Sequence, residues 1–155
     1  MLGANIGNSV GTLENLGGRL VVIFDGHCGL CNRLVRWLLR RDQRDRMRFA
    51  ASESPNVAEL LARLGFAATE TAPSTLVVVR NAGEREEELL VRSDAAVALL
   101  RELPQPWPAV GVALSWVPRP VRNLGYRLVA RWRFRIWGRL QSCPLPTEAN
   151  REKFL

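Results

Sequence analysis

The sequence predicts a small α/β domain whose mixed sheet carries helices on both faces, and three observations lead there. Short β-branched runs alternate with helix-period segments in the order β-α-β-α-β-β-α. The first strand ends in a turn that leads through Cys28-Gly29-Leu30-Cys31 straight into the first helix. A 47% hydrophobic composition over 155 residues is enough for one domain to bury about two-thirds of its unfolded surface without staples.

Arg19 to Asp25 (RLVVIFD) is a β-branched and aromatic run between Gly17-Gly18 and Gly26, which marks a short buried strand. From Cys28 to Arg41 the apolar residues Leu30, Leu34, Trp37 and Leu38 recur at helical spacing, with Arg33, Arg36, Arg40 and Arg41 on the other face. Met47 to Ala51 alternates as a second strand. After Pro55, which suits a helix entry, Val57, Leu60, Leu61 and Leu64 mark a helix over Val57 to Leu64, ended by Gly65. Thr75 to Arg80 and Glu87 to Arg92 bracket Asn81-Ala82-Gly83-Glu84, whose Asn and Gly accept the positive φ of a hairpin loop, so these strands should pair antiparallel. Ser93 reads as the N-cap and Asp94 as the first-turn anion of a helix that runs through Ala95 to Leu103 and stops at Pro104.

That order is the minimal thioredoxin-like topology, a βαβ half supplying parallel strands and a ββα half completing the mixed sheet. Beyond it, Pro104, Pro106 and Pro108 read as a stiff connection. Pro118 and Pro120 precede a helical stripe of Val121, Leu124, Leu128, Val129, Trp132, Ile136 and Leu140. The expected organisation is a mobile leader over 1–18, a thioredoxin-like core over 19–103, and a Pro-rich connection with a basic helical extension over 104–155. The stripe is expected to pack on the core, leaving Arg127, Arg131, Arg135 and Arg139 opposite it in solvent.

The balance of 22 Lys and Arg against 15 Asp and Glu leaves a net charge of +7, nearly all arginine. Such a charge favours anionic partners without naming one. No nucleic-acid reading motif accompanies it, which argues against that class. The first eighteen residues lack the positive and apolar regions of a signal peptide, and the Trp107–Val117 stretch is broken by Pro108 and too short to span a bilayer. The expected location is the cytoplasm. Three cysteines, Cys28, Cys31 and Cys143, make a poor disulfide framework and point to chemistry instead.

The chemistry sits at the strand-to-helix junction. Unpaired backbone N–H groups and the positive end of the helix dipole favour a thiolate there, and a two-residue spacer places both sulfurs within one turn, close enough for a disulfide. Cys28 is therefore the expected attacking thiol and Cys31 the resolving one. A protein or small-molecule disulfide is the substrate, and an external thiol reductant resets the pair. No bound cofactor is needed. His27, the only histidine, would as an imidazolium stabilise the thiolate or as a base deprotonate the thiol; otherwise it is an exposed loop residue. Asp25 is expected to accept hydrogen bonds from loop N–H groups, with a proton relay as the alternative. Pro73 and Ser74, at the entry to the third strand, are candidates to position substrate opposite the cysteines, as the cis-proline loop does in thioredoxin-like folds.

Within this frame, FDGHCGLCNRLVRWLLRRD resembles the DCC family of thiol-disulfide oxidoreductases, named for its Asp-x-x-Cys-x-x-Cys signature. Ser93-Asp94-Ala95, Pro118-Arg119-Pro120, Arg122-Asn123-Leu124-Gly125-Tyr126, Ala130 to Phe134 and Cys143-Pro144-Leu145-Pro146 also resemble family segments, so the likeness runs from about Arg19 to Leu155. The resemblance implies a thioredoxin-like fold, protein-disulfide oxidoreductase activity, and Asp25, Cys28 and Cys31 as defining residues. His27 departs from the acidic residue more usual before the first cysteine, and Asn123-Leu124-Gly125 from a more usual Asp-Ala-Val-like run. The competing reading is a basic interaction module, its Cys-x-x-Cys structural or zinc-binding with His27 and Cys143, docking through Arg127, Arg131, Arg135 and Arg139 on an anionic membrane surface or a protein.

Overall fold

The structure, a computed structural model of the chain, describes residues 16–66, 75–142 and 147–155. Four strands, β1 (Arg19–Phe24), β2 (Met47–Ala51), β3 (Val77–Ala82) and β4 (Glu88–Val91), form one mixed sheet in the order β2-β1-β3-β4. β1 runs parallel to β2 and antiparallel to β3, and β3 and β4 close the expected hairpin. Helices α1 (Gly29–Arg41), α2 (Pro55–Arg63) and α3 (Arg92–Glu102) complete the thioredoxin-like order.

Alternation along β1 divides the core in two. Leu20, Val22 and Phe24 face α1 and α3, meeting Val35, Leu38 and Leu99, while Val21 and Ile23 face α2, meeting Val57, Leu60 and Leu61. Helices thus cover both faces. Leu16 is buried in the second cluster and Phe154 in the first, so the core also draws on residues outside 19–103. The chain end is tied in by the Leu155 N–H, which donates to Phe49 O at 2.9 Å.

Three expectations fail in the C-terminal half. Ser93 does not cap α3: the N-cap is Val91, without a side-chain bond, and the Ser93 hydroxyl donates to Asn123 Oδ1 at 2.6 Å. The Pro-rich connection is mostly a helix, α4 (Trp107–Trp116), because a proline in the first turn removes an N–H that has no intrahelical partner anyway. Most consequentially, the stripe on α5 (Arg119–Trp137) does not pack on the core. Val121, Leu124, Leu128 and Ile136 are each more than half exposed.

The opposite face of α5 lies against α1 and α3, and it is polar. Arg122 pairs with Asp94 at 3.0 Å, Tyr126 Oη accepts from the Leu76 N–H at 2.8 Å, and Arg133 is 5% exposed. Two segments singled out by the family resemblance, Ser93-Asp94 and Arg122-Asn123, are partners in this seam. The arginine row also moves. Arg127, Arg131 and Arg135 each follow a stripe residue (Leu124, Leu128, Trp132) by three positions, which puts them along the stripe's edge rather than opposite it.

Candidate active site

Cys28 occupies the N-cap of α1, in extended conformation (φ −88°, ψ 121°), and its Sγ accepts the backbone N–H of Cys31 at 3.4 Å. A two-residue spacer makes this inevitable: it places Cys31 at the third helical position, whose N–H an N-cap side chain reaches. No acidic residue shares the first turn, so the sulfur is the side-chain cap at the positive end of the dipole, while Arg40 and Arg41 complement the other end. Both cysteines are free thiols.

Their environments differ. Cys28 is fully buried at 0% exposure. The partly exposed Cys31 has its thiol pushed up to about 12, first by burial and then by its hydrogen bond and charge interaction with Cys28; only Arg133 pulls it down. Arg133 Nη1 lies 3.9 Å from Cys31 Sγ and Nη2 3.5 Å from Asp25 Oδ2. Its Nε has no hydrogen-bond partner among the described residues. Cys31 and Asp25 therefore meet the guanidinium.

Asp25 does what the loop requires: Oδ1 accepts the His27 N–H at 2.9 Å, and Oδ2 faces Arg133. Asn32, buried on α1, locks the same turn by donating through Nδ2 to Gly26 O at 2.8 Å and Cys28 O at 2.9 Å. His27 turns its ring to other partners. Nδ1 lies 3.1 Å from Leu140 O and Nε2 3.6 Å from Glu53 Oε1, with the side chain 45% exposed. It behaves as a clasp, because Leu140 N–H also donates to His27 O at 2.7 Å.

That clasp holds a strap over the sulfur. After α5 the chain crosses the loop at Gly138–Leu140, with Cys28 bridged to Arg139 and the Gly29 N–H donating to Gly138 O at 3.2 Å. The approach is so close that a Cβ on Gly29 would collide with the Trp137 carbonyl. Beside the strap a cleft of about 350 Å³ is lined by Asp25, His27, Glu53 and Arg139.

The fold thus brings together Asp25, His27, Cys28 and Cys31 of the expected set. Pro73, Ser74 and Cys143 lie outside the described residues, as does most of the expected leader. Among the described residues no three His, Cys, Asp or Glu side chains gather as a metal-holding group, and no helix is long and apolar enough to cross a membrane. Sequence reasoning missed Arg133, Asn32 and the strap. Asn32 carried a signal, a polar residue on the inward face of α1. Arg133 carried a fainter one, being the arginine out of step with the row at 127, 131, 135 and 139.

A Cys-x-x-Cys opening the first helix of a thioredoxin-like sheet defines the class of thiol-disulfide oxidoreductase-like proteins. The family model described as DCC1-like thiol-disulfide oxidoreductase matches residues 22–139, and this chain belongs to that family. It is 30% identical over 144 residues to the uncharacterized protein YuxK of Bacillus subtilis (strain 168), covering 93% of this chain and 98% of that one. It is 32% identical over 127 residues to the DCC family protein At1g52590, chloroplastic, of Arabidopsis thaliana, covering 82% of this chain and 70% of that one. No solved structure matches.

Proposed function

We propose that this chain catalyses thiol-disulfide exchange on a protein or small-molecule disulfide, in the reductase direction and in a reducing compartment such as the cytoplasm. The observation that carries the reading is the asymmetry of the pair. Cys28 Sγ sits where a helix N-terminus receives an anion, whereas the Cys31 thiol is pushed up to about 12 and keeps its proton at neutral pH.

The Cys28 thiolate attacks one substrate sulfur, the substrate S–S bond breaks, and the departing thiolate takes up a proton from solvent. In the mixed disulfide Cys28 no longer carries charge, so of the causes that raise Cys31 burial remains, the charge interaction with Cys28 falls away, and Arg133 stays at 3.9 Å to pull the thiol down. Cys31 then loses its proton and displaces the second substrate thiolate, closing the Cys28–Cys31 bridge. Two electrons have passed to the substrate, and an external thiol returns them. Asp25 holds the turn and orients Arg133, His27 holds the strap, and Pro73 and Ser74 are the proposed substrate-positioning residues. Because Cys28 is covered, substrate entry requires Gly138–Leu140 to lift.

The test is a redox titration of the full chain, alkylating free thiols and reading masses for wild type, Cys28→Ser and Cys31→Ser. A reversible two-electron couple confined to this pair is expected, and thiols inert to oxidant overturn the reading. The Cys28→Ser variant tests the mechanism as well. Its Cys31 should titrate lower than in wild type, and adding Arg133→Ala should move it back up; an unchanged Cys31 in both variants removes the proposed role of Arg133.

A further inference from the structure

We propose that the outward face of α4 and α5 docks on an anionic lipid surface, lying in the interface without crossing it. This inference stands apart from the redox chemistry. Soluble chains rarely leave a contiguous apolar face uncovered, yet Val121, Leu124, Leu128 and Ile136 are 52–63% exposed along α5, with Trp132 at 45%. α4 adds Val110 at 45% and Trp116 at 83%. Between the helices an apolar groove of about 480 Å³, lined by Leu114, Val117, Val121 and Val129 among others, joins the two surfaces.

Charge selects the occupant. From Leu103 to Thr147 the sequence holds seven arginines and no Asp or Glu. Asp94 engages Arg119 and Arg122, and Asp25 engages Arg133. Arg127, Arg131 and Arg135 are exposed and have no carboxylate partner among the described residues. They border the apolar stripe, and Arg135 lies 5.3 Å from the Trp132 ring centroid. Apolar residues and tryptophan flanked by arginines suit a headgroup boundary: the rings and aliphatic chains enter, and the guanidinium groups meet phosphate. A second copy fits poorly, because face-to-face packing would oppose two arginine rows without a carboxylate between them. Arg139 does not belong to this surface; it leaves the helix, stacks over Phe134 at 4.5 Å and lines the cleft at the cysteines.

The experiment is sedimentation of the full chain with vesicles of phosphatidylcholine alone and of phosphatidylcholine mixed with phosphatidylglycerol. Binding should require the anionic lipid and fall with salt, as the screening length contracts from about 10 Å at 0.1 M to about 3 Å at 1 M. Replacing Arg127, Arg131 and Arg135 by Gln should weaken partition on the order of a hundredfold. Replacing Leu124, Leu128 and Ile136 by Ser should also weaken it, with thiol-disulfide exchange in solution and thermal unfolding unchanged. Trp116→Ser, at a side chain too exposed to carry the fold, provides a second apolar probe and should weaken partition too. The proposal is overturned by absence of binding to anionic vesicles at low salt, by equal binding to neutral ones, or by full binding of the substituted chains. A lipid-free dimer that the Leu and Ile substitutions dissolve would overturn it as well, by making the face an interface between copies.

Discussion

Helices α1 and α5 are both amphipathic, and they bury opposite kinds of face. α1 turns Val35 (0% exposed) and Leu38 (1%) toward the sheet and sends Arg33 and Arg36 to solvent. α5 turns Arg133 (5%) inward and leaves Leu124 (58%) and Ile136 (63%) outside. The reason is the surface each one meets. α1 lies on the apolar face of β1, where removing Leu38 from water is worth about 1.5–3 kcal/mol. α5 lies on the outer side of α1 and α3, where Asp94, the Ser93 hydroxyl, the Leu76 N–H and Asp25 wait for polar partners. A buried polar group left unpaired costs more than an exposed leucine.

The sharpest way to break this comparison is Arg133→Ala. It strands the Asp25 carboxylate, whose side chain is only 8% exposed, without its cation. Breaking a buried pair from one side costs about 3–5 kcal/mol, so chemical denaturation should show a loss of that order. A neutral result would mean that α5 is not held by its polar face.

That same contrast explains what could be read ahead of the structure. The order of elements along the chain, the hairpin and the cysteines at the N-terminus of α1 were legible because each depends on neighbours in sequence: alternation, turn residues, a two-residue spacer. The orientation of α5 was not, because periodicity distinguishes two faces without saying which one meets protein. The deciding partners of Arg122, Tyr126 and Arg133 lie 28, 50 and 108 residues away. The helix α4 was hidden for a local reason: Pro108, a breaker in mid-helix, is acceptable in the first turn where it falls.

A matched pair of truncations sharpens the comparison further. Leu38→Ala removes a core side chain and should cost about 2–5 kcal/mol. Leu128→Ala, the same change on the outer face of α5, should stay within about 0.5 kcal/mol in lipid-free solution. Equal costs, read from denaturation midpoints at constant slope, would mean that the α5 stripe is buried in solution.

A smaller loss than those of Arg133→Ala and Leu38→Ala isolates what holds α5. Tyr126→Phe keeps the ring and removes only the oxygen that accepts the Leu76 N–H at 2.8 Å. If α5 were held by apolar packing, losing a half-buried hydroxyl would be neutral or stabilising, since taking a hydroxyl out of water costs free energy that its hydrogen bond only offsets. If the polar seam holds it, the Leu76 N–H at the entry to β3 loses its acceptor, and the loss should be about 1–2 kcal/mol. Hydrogen exchange separates the two outcomes at one atom, because the Leu76 amide should lose protection in Tyr126→Phe and keep it in Leu128→Ala. Protection lost in neither variant would place the seam's contribution elsewhere, at Arg122 with Asp94 and Ser93 with Asn123, whose α5 members stand eleven and ten residues before the buried Arg133.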